Sequence, residues 1–234
     1  MTIVARQVLH ELSRRKQMLA LLALLPVAFY LARHDLPGQS IRLLSLGLGW
    51  TISTLALFVT VGAIPVERRL RVAGYSVLQL LGGRVLAVSA VGTLLAAAGF
   101  GLVIVDQALA RHWALALMFA LAVAISVPLG ALLGALLRRE LEGALALLTI
   151  LSVQMLANPD GTFAHIMPFW SLRQLAAYVV DDESSAYLTS ALVHAGITLS
   201  FLGVALCAIS AVRMRIHKAE RPEASSSLSS TSVG

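Results

Sequence analysis

An all-α polytopic membrane fold is predicted by three features of the chain: its apolarity, the length of its apolar runs and the placement of its charges. Of 234 residues, 58% are hydrophobic and 13% charged, with a mean hydropathy of +0.84. A soluble domain keeps roughly a quarter of its residues charged. The apolar runs reach or approach the roughly 20 residues that a helix needs to cross a bilayer core, and the charges fall between them. In a soluble chain a net charge of +6 and a pI of about 10.2 would point to nucleic acid. Set between apolar runs, the same charges mark helix ends at anionic headgroups, and no nucleic-acid partner is expected.

Residues 1–16 precede the first apolar run, and 2–16 read as an amphipathic helix. Val4, Val8, Leu12, Ala5 and Leu9 share one side of a 3.6-residue wheel, opposite Arg6, His10, Ser13 and Arg14. A basic amphipathic helix beside a span lies in the interface, which gives Arg6, Arg14 and Arg15 to the headgroups. The stretch 1–32 also looks like a signal sequence, but no small-x-small site precedes Arg33, so an uncleaved first span is expected.

One domain over 17–218 then carries six expected spans: 17–32, 43–64, 85–105, 113–137, 143–157 and 187–212. With this threading, fourteen of the eighteen Lys and Arg residues share one face. Arg6, Arg14, Arg15 and Lys16 precede the first span, and Arg68, Arg69, Arg71 and Arg84 follow the second. Arg138 and Arg139 follow the fourth, and Arg213, Arg215, Lys218 and Arg221 follow the sixth. Arg33, Arg42, Arg111 and Arg173 lie on the other face. Excess Lys and Arg marks the cytoplasmic side, so both termini are expected there.

The segment 163–180 leaves more than one reading open. It is long enough for a seventh crossing, but Pro168, Arg173 and Gln174 would be costly at mid-membrane. An outer-face interfacial or re-entrant helix is preferred, with Trp170 and Tyr178 at headgroup depth and Asp181, Asp182 and Glu183 outside. The last ten residues hold six serines and no basic group, so 219–234 is expected to be a disordered cytoplasmic tail. Lone Cys207 sits in the last apolar run and says nothing of redox compartment. The preference for Arg over Lys, with abundant Ala and Gly, suits a GC-rich bacterial genome; a bacterial cytoplasmic membrane is therefore expected.

Several chemistries lack their residues. The only lysines are Lys16 and Lys218, and neither follows a glycine-rich turn, so a P-loop phosphate cradle is missing from the sequence. No acidic residue lies deep in an expected span, which disfavours proton- or sodium-driven carriage. His194 and Gln154 are the deep polar residues, and His194 reads as a helix-contact residue before a relay. No Gly-x-Ser-x-Gly, His-Glu-x-x-His or paired-aspartate pattern occurs. The chain is read as not an enzyme, with no catalytic residue, no metal ligands and no cofactor of its own.

The connection Pro65–Arg84 is longer than an inside loop needs. It offers a charged turn, a mixed helix and then Gly82-Gly83 before the third span. One reading is an amphipathic linker resting on headgroups; the other is a cytosolic helix presented to a partner. Together with the six-span layout, the segment resembles the loop of type-2 ABC exporter permeases, the membrane subunits of drug, antibiotic and polysaccharide exporters. Glu67-Arg68-Arg69 stands at the family's acidic-basic opening, Ala73-Gly74-Tyr75-Ser76 at its turn and Gly82-Gly83-Arg84-Val85-Leu86 at its close. The family's turn proline and second acidic residue have no counterpart. The resemblance extends in layout to most of the chain and in motif to this loop, with Met167-Pro168-Phe169-Trp170 a weaker match.

The resemblance implies a basic interface helix, a coupling helix over roughly 67–82 that fits a groove on an ATPase, and a small outer helix between the fifth and sixth spans. It implies an ABC ATPase partner that binds ATP and Mg, and a second permease subunit, identical or not. Glu67, Arg68, Arg69, Leu70, Arg71, Val72, Gly74 and Tyr75 would make the ATPase contact, the arginines as its charged rim and Leu70, Val72 and Tyr75 as its apolar anchor. Gly130 and Gly134 are four apart on one helix face and suit close helix packing, within the subunit or between two subunits. An apolar path without a charge cluster fits a hydrophobic or amphipathic cargo. The rival readings are a non-transporting membrane module, such as an immunity or sensor subunit, and a haem-exporter-like subunit for cytochrome assembly.

Overall fold

The computed structural model describes residues 2–213 other than Pro159, Asp160 and Asp182, and leaves the side chains of Pro37 and Arg68 undescribed. The tail expected over 219–234, with Arg215, Lys218 and Arg221, lies outside the described residues. The described residues form eight α-helices: α1 (Thr2–Arg14), α2 (Lys16–Leu31), α3 (Pro37–Val72), α4 (Val77–Asp106), α5 (His112–Leu137), α6 (Glu140–Leu156), α7 (Trp170–Val180) and α8 (Ser185–Arg213). A short 3₁₀ turn, Ala164–Ile166, precedes α7. No strand occurs among the described residues.

Local chemistry sets the helix ends. Pro37 opens α3, where its missing N–H is no loss. Ser76 and Gln79 close a reciprocal capping box at the start of α4, each side chain bonded to the other's backbone N–H. Glu140 and Glu142 lie in the first turn of α6, where the helix dipole favours acids. Arg138 ends α5 in the left-handed conformation, with φ of 56°.

Among the described residues, four helices are long and apolar enough to cross a membrane: Gly38–Glu67 within α3, Val77–Asp106, His112–Leu137 and Ser185–Arg213. This is the character of a multi-pass membrane protein. The runs expected at 17–32 and 143–157 also form helices, but α2 has 16 residues and α6 has 17. At about 1.5 Å per residue both fall short of a bilayer core of roughly 30 Å.

α3 and α5 form the axis of the bundle, with 72% and 67% of their apolar windows buried, against 28% for α4 and 22% for α8. The two axial helices run parallel and nearly touch. A methyl group on Gly130 would collide with the Ser53 carbonyl, and one on Gly134 would lie 2.9 Å from the Leu57 carbonyl oxygen. Ser53 Oγ donates to the Ser126 carbonyl at 3.1 Å across the same contact. The glycine pair is thus spent on packing inside the chain. On the other side of α3, Thr51 Oγ1 donates to the Leu22 carbonyl of α2 at 2.9 Å.

Two expectations are corrected here. No separate helix occupies 67–82. α3 continues through Pro65 to Val72, and α4 has begun by Val77, so a helical hairpin replaces span, loop helix and span. An interior proline removes one donor and does not by itself stop a helix whose neighbours supply packing. α3 has 36 residues and is about 54 Å long at 1.5 Å per residue, well beyond a bilayer core. The second correction concerns Trp170 and Tyr178 of the segment 163–180, expected together at headgroup depth. α7 has 11 residues, and it runs antiparallel to the first part of α3, with Phe169 against Gly49 and Val180 against Gly38. Trp170 and Tyr178 therefore sit at different depths, about 12 Å apart along the helix. Trp170 belongs to the interior, where only 7% of it is exposed.

The glycine contacts give a direct test. Gly130→Ala should lower stability in detergent by roughly 1–3 kcal/mol or more, since backbone must yield. Gly203→Ala, where nothing lies within 4 Å of the new methyl, should change it by less than about 0.5 kcal/mol. Equal melting temperatures for the two variants would contradict the axial packing.

Candidate functional site at the arginine-rich end

The helix directions gather the charges by sign. α2, α4 and α6 begin, and α3, α5 and α8 finish, at one end of the bundle. That end carries Arg6, Arg14, Arg15, Lys16, Arg69, Arg71, Arg84, Arg138, Arg139 and Arg213, against Glu11, Glu67, Glu140 and Glu142. At the opposite end Arg33, Arg42, Arg111 and Arg173 are mixed with Asp35, Asp106, Asp181 and Glu183.

The α3–α4 hairpin projects from the arginine-rich end. Its turn is a Schellman closure: Tyr75 N–H donates to the Leu70 carbonyl at 3.1 Å, and Gly74 N–H to the Arg71 carbonyl at 3.1 Å. Gly74 has φ of 93°, a conformation that glycine adopts without strain. Arg71 Nη1 donates to the Tyr75 carbonyl at 2.8 Å and ties the turn to the helix end. Leu70, Tyr75 and Val77 pack against buried Val4 of α1 and Leu80 of α4. Leu70, Gly74 and Tyr75 thus have a local role that accounts for their residue types. Arg69, Val72 and Ala73 are exposed at the tip, Val72 to 74%.

α1 covers the side of this hairpin. Val4 and Leu12 are buried against it, while Arg6, Arg14 and Arg15 face outward. Arg15 pairs with Glu11 at 3.1 Å, one helical turn back. That exposed pair is worth a few tenths of a kcal/mol at most. The apolar stripe of α1 therefore meets protein at Val4 and Leu12, with Ile3 and Leu9 left outward.

Below the tip lies a buried charge cluster. The Glu67 carboxylate accepts from Arg84 Nη1 and, at 2.5 Å, from Arg213 Nη2. The three side chains are 5–8% exposed. The cluster joins the end of α8 to the hairpin formed by the end of α3 and the start of α4. One carboxylate facing two guanidinium groups leaves an excess positive charge, and Arg213 Nε and Nη1 have no hydrogen-bond partner. Glu67, expected at a partner's surface, is turned inward.

The opposite end holds a second polar cluster. Asp106 accepts from Tyr30 Oη, and His34 Nε2 lies 3.0 Å from its other oxygen. Gln107 Nε2 donates to Tyr30 Oη at 2.8 Å and to Ser40 Oγ at 2.9 Å. These contacts tie the α2 end to α4 and the start of α3. Arg111 stacks 4.1 Å over the Tyr178 ring and donates to the Tyr178 and Glu183 carbonyls. Arg42 pairs with Asp181. α7 is pinned on both sides by cations.

Sequence reasoning singled out the hairpin but not the Glu67–Arg84–Arg213 cluster. One signal was present: Glu67 is the lone acid in a run of arginines, and a lone acid there has partners nearby. Among the described residues no group of three His, Cys, Asp or Glu side chains could hold a metal ion. No family model, curated protein or solved structure matches this chain. The molecule is defined by its own features as an all-helical protein of multi-pass membrane character with an arginine-rich hairpin.

Removing the buried carboxylate should be costly. Glu67→Gln strands two buried guanidinium groups, and a loss of roughly 3–5 kcal/mol is expected in detergent unfolding. Arg69→Gln, at an exposed position, should be neutral within about 0.5 kcal/mol. A Glu67→Gln variant as stable as the parent would show that the cluster contributes nothing.

Proposed function

We propose that this chain is the membrane subunit of an ATP-driven exporter, moving a hydrophobic or amphipathic small molecule out of a bacterial cell with the power of a separate ABC ATPase. The observation that carries this reading is the hairpin: two long apolar helices prolonged beyond bilayer thickness and joined by a rigid, capped, arginine-rich turn. A turn that only connected two spans would need neither the extra helical length nor the buried cluster beneath it.

On this reading α2, α3, α4, α5, α6 and α8 are the six spans, and the arginine-rich end with both termini is cytoplasmic. α2 and α6 are short for this role, and local thinning of the bilayer accommodates short helices at modest cost. Arg68, Arg69 and Arg71 form the charged rim of the motor contact, and Val72 is the apolar side chain left outward at its centre. α1 braces the hairpin from the interface. ATP and Mg belong to the partner, and a second permease subunit completes the assembly. Nucleotide closure of the ATPase pushes the tip, and the helices shift between two packed arrangements. The cluster of Glu67, Arg84 and Arg213 links that push to α8 as well as to α3 and α4.

The test is co-purification with an ABC ATPase encoded beside this chain. Arg68→Glu/Arg69→Glu should abolish capture of the ATPase and substrate-coupled ATP hydrolysis, with membrane insertion and melting temperature intact. Unchanged capture and coupling in that variant would remove the hairpin from the motor contact.

A further inference from the structure

A cavity of about 330 Å³ lies at the arginine-rich end, between α1 and α3. α1 packs on α4 and makes no extended contact with α3, so the two helices stand apart and the gap between them is this cavity. Val8 and Leu12 of α1 form one wall, Phe58 and Val59 of α3 the other, and Leu80 and Arg84 of α4 the floor. Gly62 stands in the α3 wall, where a methyl group on it would meet nothing within 4 Å. Glu11 and Arg15 line the rim; both are exposed, and they pair with each other at 3.1 Å, so their charges offset.

Arg84 is the one charge of the lining that lies deep. Only 4% of it is exposed, and its guanidinium is committed at one nitrogen: Nη1 donates to Glu67, whose carboxylate Arg213 shares. Nε and Nη2 make no hydrogen bond among the described residues and, unlike Nε of Arg213, are not closed off. These two nitrogens form one edge of the guanidinium, with the parallel N–H bonds that a carboxylate accepts bidentately. A second cavity that Arg84 lines has a volume of about 10 Å³, the lower limit for one water. The larger cavity is where a ligand can reach that edge. One carboxylate between Arg84 and Arg213 also leaves one surplus positive charge, and a buried charge without a counter-charge is costly.

We propose that this cavity binds a single-chain carboxylate amphiphile, a medium-length fatty acid whose head takes the free edge of Arg84 and whose tail lies between α1 and α3. The carboxylate follows from the forked donor edge and from a surplus of one cation, which a phosphate monoester would overshoot. The tail follows from the apolar walls. The single chain follows from a volume near the lower bound of the roughly 300–1,000 Å³ of ligand sites. Bound there, the chain bridges α1 to α3 and braces the flank of the hairpin. The site stands independently of any ATPase.

Native mass spectrometry of the full chain in a non-ionic detergent, with decanoate, decanol, decyl phosphate and phosphatidylglycerol as probes, tests this. Decanoate should bind about tenfold tighter than decanol, the weight of a net hydrogen bond to a charged group, and tighter than decyl phosphate or phosphatidylglycerol. Gly62→Phe, which fills the cavity from an unobstructed position, should abolish binding at an unchanged melting temperature. Gly101→Phe, equally unobstructed but on α4 away from the cavity, should leave binding as it was. Arg84→Gln, in which Glu67 keeps Arg213, should bring decanoate down to the affinity of decanol. If that variant does not fold, the ranking of probes on the parent chain and the Gly62→Phe result decide alone. Equal affinity for decanoate and decanol on the parent chain would overturn the assignment. So would decanoate binding that survives Gly62→Phe, a preference for decanoate that survives Arg84→Gln, or tighter binding of phosphatidylglycerol, which would give the cavity to a membrane lipid.

Discussion

The junction of Glu67, Arg84 and Arg213 is the constraint on which the arginine-rich end depends. The α3–α4 hairpin and the end of α8 are held together by one carboxylate between two guanidinium groups, out of water. Burying three charges is expensive, and such a cluster is a poor source of net stability compared with an apolar contact of the same shape. What it supplies is registry. With Glu67 in place, the hairpin and α8 have one relative position; without it, two like charges repel in a low-dielectric site.

The rest of the fold is arranged around a parallel α3–α5 axis. Small residues at the crossing let two backbones meet, and the long peripheral helices α4 and α8 turn apolar faces outward. Both ends are polar, but differently so. The arginine-rich end has a surplus of cations around a single buried acid. The opposite end balances its charges pair by pair, Arg42 with Asp181 and Asp106 with Tyr30 and His34, and stacks Arg111 on Tyr178. The balanced end holds α7 through Arg42 and Arg111.

Much of this was legible in the sequence where a single helix decides the matter. Apolar run length located α3, α4, α5 and α8, and the turn residues Gly74 and Ser76 lie where the hairpin closes. The amphipathic pattern of residues 2–16 located α1. What the sequence hid is what depends on partners distant in the chain. Hydrophobic periodicity says which face of α3 is polar near Glu67, but not that Arg213, 146 residues away, occupies it. Pro65 and the arginines after it read as the end of a span, because a proline and a charge run ordinarily stop one; packing carried the helix onward. Trp170 read as a headgroup aromatic from its residue type, yet tertiary contacts with His165 and His194 draw it inward.

A double-mutant cycle on Glu67 and Arg213 tests the central claim most directly, with unfolding in detergent followed for Glu67→Gln, Arg213→Gln and the pair. If the carboxylate clasps α8 to the hairpin, the double variant should lose less than the sum of the single losses, by about 1–3 kcal/mol. Additivity within about 0.5 kcal/mol would contradict the clasp and leave α8 mechanically independent of the hairpin.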